Sequence, residues 1–151
     1  MDLILWRHAE AEAEREGETD LDRDLTTKGT RQAKRMAHWL NQRLAASTKV
    51  LVSPALRTRS TAQALGRKFR VMPTLGPDAG IDDLLLAARW PSSAVPVLLV
   101  GHQPTLGLLA AHLLAQVDQP WAIKKGGVWW LRQRDDSGEL FVQAVQSPDS
   151  L

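Results

Sequence analysis

The chain has 151 residues, of which 44% are hydrophobic and 24% are charged, values typical of globular proteins. We therefore expect residues 1–151 to form a single domain with one core. The absence of cysteine excludes disulfide bonds, thiolate catalysis and sulfur-ligated metals. The apolar runs 3–6 and 95–100 are too short for a signal-peptide core or for a membrane span of about 18 residues. We accordingly expect a soluble cytoplasmic protein without a membrane partner.

The net charge of +2 conceals an uneven distribution of acidic residues. Eight of the 17 fall within residues 10–24, which we interpret as a solvated loop, and 17 basic but only nine acidic residues remain elsewhere. Such a surplus can concentrate an anionic substrate through the summed field. The Lys and Arg residues are scattered, and no RNP, helix-turn-helix or zinc-finger pattern is present, so we expect no nucleic-acid partner.

The first quarter of the chain predicts a strand, a loop and a helix. Residues 2–6 form an apolar run that predicts a buried strand ending at Arg7 and His8. Residues 9–25 are charged and predict a loop. A helix capped by Thr26 or Thr27 follows, and its apolar positions recur at helical spacing. These positions are Ala33, Met36, Ala37, Leu40 and Leu44.

The next segment predicts a second strand and two further helices. Residues 50–52 form the strand, and Ser53-Pro54 opens a helix with proline at its first position. The apolar residues assigned to this helix are Leu56, Ala62, Leu65 and Phe69. Residues 72–80 are rich in Pro and Gly and predict a loop, after which residues 81–88 form a short helix.

The remainder predicts a strand, a helix and a hairpin. Residues 97–100 form the most strand-like run, which ends at Gly101-His102-Gln103-Pro104, and residues 106–114 form a buried helix. Residues 128–132 and 140–145 flank a turn that contains Asp136-Ser137-Gly138, a pattern typical of an antiparallel hairpin. The order of elements predicts an α/β fold, a three-layer sandwich with a mainly parallel sheet that ends in this hairpin.

Several aromatic residues and histidines are interpreted as structural. Trp39 falls beside the apolar face of the first long helix, and the adjacent Trp129 and Trp130 should face opposite sides of a strand. One of that pair is either covered by a helix or loop or forms a partner surface. His38 and His112 lie on helices, where we expect packing or surface roles.

The candidate site follows from the ends of the predicted strands. Ligands of open α/β sheets bind beyond the carboxyl ends of the strands. Arg7 and His8 follow the first strand, Arg57 lies in the first turn after the second, and His102 follows the third. Pro104 then opens a helix whose free amide groups favour an anion. These side chains should converge on one point.

Each residue type suits the transfer of a phosphoryl group. The planar guanidinium groups of Arg7 and Arg57 match two phosphate oxygens each. A neutral imidazole can attack phosphorus and form a phosphohistidine that water hydrolyses. The second histidine can donate a hydrogen bond to the same oxygens. The scheme requires no metal or other cofactor, and we expect none.

Four motifs in chain order support this interpretation through a resemblance. Residues 3–9 (LILWRHA), 24–29 (DLTTKG), 52–62 (VSPALRTRSTA) and 100–104 (VGHQP) together resemble the signature of the histidine phosphatase (phosphoglycerate-mutase-like) superfamily. The short length and the Gly-His-Gln-Pro form are similar to the SixA-type phosphohistidine phosphatases. The resemblance implies a phosphoglycerate-mutase-like fold and the activity of a hydrolase.

The resemblance also implies roles for four residues. His8 is the nucleophile, Arg7 and Arg57 bind phosphate, and His102 is the second histidine of the pocket. Ala9 replaces the usual glycine of the first motif, which is a mild change if that position has ordinary backbone angles.

A second departure concerns the proton donor. Larger relatives carry a carboxylic acid on an inserted region, and only Asp78, Asp82 and Asp83 are candidates by their place in the chain. An alkoxide leaving group needs a proton, whereas the imidazole of phosphohistidine leaves readily once its free ring nitrogen is protonated. No clear donor is present, and a chain this short has little length for a lid, so we expect an open pocket. Both features favour phosphohistidine on a protein as substrate. A small phosphorylated metabolite, cleaved as a phosphomonoester, and a non-catalytic phosphate-binding module are the alternatives.

Overall fold

The computed structural model describes residues 1–151 and contains six strands and four α-helices. The strands are β1 (Asp2–Arg7), β2 (Lys49–Val52), β3 (Arg70–Val71), β4 (Val97–Gly101), β5 (Val128–Gln133) and β6 (Leu140–Gln146). The helices are α1 (Thr27–Asn41), α2 (Leu56–Gln63), α3 (Ile81–Ala88) and α4 (Thr105–Ala115). Short 3₁₀ turns lie at residues 20–22, 73–75 and 148–150.

The strands form one sheet in the order β3-β2-β4-β1-β5-β6. The pairs β3–β2, β2–β4 and β4–β1 are parallel, and β5 and β6 add an antiparallel end. Val100 of β4 pairs with Trp6 on one side and with Val52 on the other, so the carboxyl ends of three parallel strands lie level. The mainly parallel sheet with a terminal antiparallel hairpin confirms the predicted fold class.

Both faces of the sheet are covered, which accounts for the continuous apolar run of β1. Ile4 and Trp6 face one buried cluster with residues of α1 and α2, while Leu3 and Leu5 face a second cluster with residues of α3 and α4. Since successive side chains of a strand point to opposite faces, a central strand with two covered faces has no polar alternation. The two clusters confirm the three-layer arrangement.

Two predicted helices are shorter than expected. Helix α1 ends at Asn41, so Leu44 is buried beyond it rather than within it. Helix α2 begins at Leu56 and not at Pro54, because Ala55 has an extended backbone, with ψ of 142°, and is the residue that precedes the helix.

The carboxyl end of α2 also differs from the prediction. The helix ends at Gln63, so Leu65 and Phe69 follow it. The amide of Leu65 bonds to the carbonyl of Ala62, three residues back, and Gly66 has φ of +65°, which tightens and stops the last turn. The two-residue strand β3 was not predicted, since it is too short to show a periodic pattern.

The tryptophans lie on the faces that strand alternation predicts. Trp130 packs edge to face against Trp39 of α1, with ring centroids 6.2 Å apart. Trp129 points to the opposite face, where its ring lies 6.0 Å from that of Trp121. The loop before β5 therefore covers part of Trp129, which is half-buried. No helix of the chain has the length and apolar character needed to cross a bilayer.

Gly29 provides a test of how α1 is held against the loop that precedes it. A Cβ atom at this position would overlap the carbonyl oxygen of Glu10, which also accepts the amide of Thr26. We expect Gly29→Ala to lower the free energy of unfolding by about 1–3 kcal/mol, the usual cost of overpacking. Chemical denaturation measures this change.

Gly76→Ala is the matched control, because Gly76 has φ of −64° and open space around its Cα. Its free energy of unfolding should change by no more than about 1 kcal/mol. Equal stability of the Gly29 and Gly76 variants would contradict the close packing of α1 on Glu10.

Candidate active site

The level ends of β1, β2 and β4 bring the predicted site residues together. The amide of His8 donates to the carbonyl of Gly101 (3.1 Å), and the amide of Ser53 donates to the carbonyl of Val100 (3.1 Å). The pairing therefore continues one residue beyond β1 and β2. The rings of His8 and His102 lie 5.4 Å apart between centroids. Arg7, His8, Arg57 and His102 are called the His8 pocket below.

A loop before β5 supports the pocket from behind. The Arg7 guanidinium donates to the carbonyl of Ile123 (2.8 Å), and the amide of Gly126 donates to the carbonyl of His8 (2.9 Å). Ala9 is fully buried, has no positive φ, and donates its amide to the Thr61 hydroxyl. The replacement of glycine by Ala9 is therefore accommodated without backbone strain.

The hydrogen bond of His8 defines its tautomer. Nδ1 lies 2.7 Å from the carbonyl oxygen of Ala9. A carbonyl oxygen only accepts, so Nδ1 carries the proton and donates it. In the neutral ring Nε2 then holds a free lone pair. This is the form of imidazole that can attack an electrophile.

The surroundings of His8 keep this ring neutral. Burial lowers its pKa from 6.5 to about 4; the hydrogen bond to Ala9 opposes the shift, and the positive charges of Arg57, Arg7 and Arg23 add to it. Near neutral pH His8 is therefore uncharged and nucleophilic.

His102 is also neutral and lacks one hydrogen-bond partner. Its Nε2 lies 2.7 Å from the Ser53 hydroxyl, while its Nδ1 is buried without a partner. Burial lowers its pKa to about 3, with further contributions from His8 and the arginines. Ser53 Oγ already accepts the amide of Ala55, which leaves its own proton free to be donated to Nε2 of His102. When Ser53 donates this proton, the His102 proton lies on the unpartnered Nδ1.

Arg57 is held in place by Asp20, one of the acidic residues that were expected to lie in a solvated loop. The side chain of Arg57 is only 5% exposed, and its terminal nitrogens donate to the backbone carbonyl (2.8 Å) and to Oδ2 (3.0 Å) of Asp20. Asp20 also accepts a hydrogen bond from Arg23 (3.0 Å). The Nε atoms of Arg57 and Arg7 are buried without partners.

Three further residues thus adjoin the pocket: Asp20, Arg23 and Ser53. The two arginines of residues 10–24 interrupt an otherwise acidic run, and Arg23 directly precedes the motif 24–29. The position of Arg23 beside this motif is the feature of the sequence that could have identified it as a site residue. Ser53 lies within the motif 52–62. Its hydrogen bond joins it to His102, 49 positions away, and such a tertiary contact leaves no local pattern in the sequence.

The amide groups at the start of α4 are less available than predicted. Pro104 does precede the helix, but the amide of Leu106 bonds to the carbonyl of His102, and the amide of Gly107 bonds to the Gln103 side chain (2.8 Å). The Gln103 carboxamide caps the helix because it folds back over the first turn. The anion-binding capacity of the pocket therefore resides mainly in its side chains.

The three candidate proton donors form no hydrogen bond or ion pair with the His8 pocket. Asp83 accepts the amide of Gly80 and caps α3, while Asp78 and Asp82 are exposed and form no hydrogen bond or ion pair. The carboxylate that does reach the pocket belongs to Asp20. The two histidines outside the pocket, His38 and His112, are exposed on α1 and α4 as predicted.

Comparison with known proteins agrees with this geometry. The sequence pattern of the histidine phosphatase superfamily (branch 1) matches residues 3–83. The phosphohistidine phosphatase SixA of Escherichia coli K12 is 32% identical over 121 residues, which cover 75% of this chain and 74% of that protein. An uncharacterised protein of Picosynechococcus sp. is 35% identical over 152 residues, with 95% and 90% coverage.

A solved structure extends the likeness to the whole fold. The protein histidine phosphatase SixA, complexed with tungstate, superposes with a TM-score of 0.82 at 28% identity and covers 99% of both chains. The chain belongs to the histidine phosphatase superfamily, which confirms the resemblance of its motifs. It is a phosphatase, and its substrates are phosphorylated.

The tautomer and the charge of His8 can be measured directly. We expect the ¹⁵N-resolved imidazole spectrum to show a proton on Nδ1 at neutral pH, since the Ala9 carbonyl accepts it. As pH falls, protonation of Nε2 should have its midpoint near pH 4 instead of 6.5. A His8→Gln variant assigns the resonance by its loss. A midpoint at or above 6.5 would contradict burial of the ring among arginines.

Proposed function

We propose that this protein hydrolyses phosphohistidine on a partner protein and that His8 is the covalent nucleophile. The observation that carries the proposal is the bond from His8 Nδ1 to the Ala9 carbonyl, which leaves the Nε2 lone pair free beside unpartnered buried donors. A neutral nucleophile held among cations suits attack on a phosphoryl group. We also propose that residues 1–151 act as one domain; a cytoplasmic location stays a prediction.

The reaction has two steps in this proposal. Nε2 of His8 attacks phosphorus while the phosphorus–nitrogen bond of the substrate breaks, and the substrate imidazole leaves neutral because its other ring nitrogen already carries a proton. Water then attacks phosphorus on His8 and breaks the new bond. The water oxygen and both its protons leave with the phosphate, so His8 returns to its neutral Nδ1–H form.

The arginines and the second histidine would stabilise the phosphoryl group. Arg7 and Arg57 each offer a buried Nε–H without a partner. Asp20 holds the other end of the Arg57 guanidinium, so this donor is fixed before substrate binds. The Nδ1 of His102 offers a third donor when Ser53 donates to its Nε2. Fixed donors stabilise transition-state charge without reorganisation.

The protonation state of Asp20 bears on the substrate. Burial raises its pKa, but hydrogen bonds and positive charge from Arg23 and Arg57 outweigh that effect and hold the pKa below its ordinary value. Asp20 is therefore ionised near neutral pH and is a poor proton donor. A phosphohistidine needs no donor from the enzyme, which favours it over an alkyl phosphate.

The relatives add independent support. One similar protein is named phosphohistidine phosphatase SixA and a second is named a homolog of it, and one SixA structure was solved with tungstate, a tetrahedral oxyanion. A generic phosphomonoesterase and a phosphate-binding module without turnover are the alternatives. The activity on different substrates separates these three functions.

His8→Ala is expected to abolish turnover while the fold remains intact, since the ring lies at a strand end and outside both core clusters. Phosphate release is measured from a phosphohistidine-bearing protein, from an aryl phosphate and from an alkyl phosphate. The wild type should prefer the first and should show an acid-labile phosphate when quenched during turnover. His38→Ala is the control, because His38 is exposed on α1.

Three outcomes would contradict parts of the proposal. Near-normal turnover by His8→Ala would exclude covalent catalysis by this residue. Equal rates on the alkyl phosphate and on phosphohistidine would point to a phosphomonoesterase. Release of phosphate from none of the three substrates would favour a binding module.

Arg57→Lys tests whether the planar guanidinium is required. An ammonium supplies the charge but cannot bind Asp20 with two nitrogens and direct Nε–H to phosphate at once. Loss of one fixed donor should lower kcat by roughly 10²–10³-fold. Steady-state kinetics compare it with Arg31→Lys on the exposed side of α1. An unchanged rate would place Arg57 outside the reaction.

A further inference from the structure

A groove of about 940 Å³ opens at the β3 edge of the sheet. It lies between the start of β2, strand β3 and helix α3, and no residue of the His8 pocket lines it. Its walls include the half-buried side chains of Phe69 and Met72 and the exposed side chain of Leu86. We call this feature the β3 groove.

Leu86 is exposed to an unusual degree for a leucine. It is 79% exposed, whereas Leu84 of the same helix is 5% exposed and belongs to the core. Together with Phe69 and Met72, Leu86 gives the concave surface a contiguous apolar lining, and contiguous exposed apolar surface is typical of a contact for a partner. The β3 groove therefore offers apolar surface to a second molecule.

The rim of the groove is strongly basic. Four exposed cations line it, and none of them forms an ion pair or a side-chain hydrogen bond. They are Lys49, Lys68, Arg70 and Arg89. The lining contains one carboxylate, that of Asp83, which is already engaged with the amide of Gly80. Charge complementarity thus selects an acidic occupant.

The groove and the His8 pocket border the same strand. Strand β2 runs from Lys49 in the groove to Val52, and the next residue, Ser53, bonds to His102. Lys49 and Ser53 are four residues apart, which is about 13 Å of extended strand. One substrate protein can therefore contact both the groove and the pocket.

We propose that the β3 groove binds an acidic, leucine-bearing segment of the protein substrate while its phosphorylated side chain occupies the His8 pocket. This inference rests on the proposed function and names the part of the substrate that is recognised away from phosphate. The apolar lining favours a polypeptide over a nucleic acid, because a phosphodiester chain offers no aliphatic side chain to Leu86.

Binding is tested with a fluorescein-labelled peptide of alternating glutamate and leucine, without phosphate, measured by anisotropy at low salt. Lys68→Glu combined with Arg70→Glu should weaken binding roughly 10-fold or more, since the rim charges attract the peptide. Arg31→Glu combined with Lys34→Glu, on the exposed face of α1, is the charge-matched control and should bind as the wild type does. Leu86→Ser leaves the charges unchanged and should weaken binding on the order of 10-fold through lost apolar contact.

Catalysis provides the second measurement. For a phosphohistidine protein with an acidic segment near the modified residue, Leu86→Ser should raise KM and leave kcat unchanged, while hydrolysis of an aryl phosphate stays at the wild-type rate. The inference would be overturned if both groove variants bound the peptide with wild-type affinity. It would also be overturned if an oligothymidine displaced the labelled peptide as well as unlabelled peptide does. A wild type that binds the peptide but hydrolyses no phosphate would refute the proposed function and leave the groove's peptide binding established.

Discussion

The register of three parallel strands is the constraint on which the site depends. Arg7 pairs with Gly101, and Val52 pairs with Val100, so β1, β4 and β2 end within one residue of the same height. The next residues are His8, His102 and Ser53, and they meet without any long loop to position them. A shift of one residue in either pairing would turn these side chains to the opposite faces of the sheet. The apolar clusters on both faces oppose such a shift, because it would remove Ile4 and Trp6 from the cluster that they form with residues of α1 and α2.

Electrostatics in the pocket follow from this burial. Two imidazoles and the guanidinium of Arg57 share a space from which water is largely excluded. Desolvation and the neighbouring cations both disfavour a second proton on His8, so the ring stays neutral and keeps the Nε2 lone pair free. The buried donors that lack partners carry a desolvation cost in the free protein. A bound phosphoryl group would remove that cost, which couples the stability of the site to its ligand.

The parts predicted from the sequence are those whose signal is local. Alternating strands and helices, the buried run of β1 and the Asp136-Ser137-Gly138 hairpin all depend on near neighbours in the chain, and the structure has them where they were expected. The early start assigned to α2 was wrong because Ala55 has an extended backbone, with ψ of 142°, and proline at position 54 gives no sign of this in the sequence. Asp20 could not be assigned to the site, since its partner Arg57 lies 37 residues away and an acidic run resembles any solvated loop.

The acidic loop and the basic remainder of the chain therefore have different roles. Asp20 fixes Arg57 but supplies only one negative charge against Arg7, Arg23 and Arg57, so the pocket keeps a positive surplus for a phosphoryl dianion. The carboxylate does not replace phosphate, because the Nε atoms of Arg7 and Arg57 are still without partners. The terminal nitrogens of the Arg57 guanidinium are held by Asp20, and its Nε–H remains without a partner. Rigidity and anion affinity thus come from the same side chain.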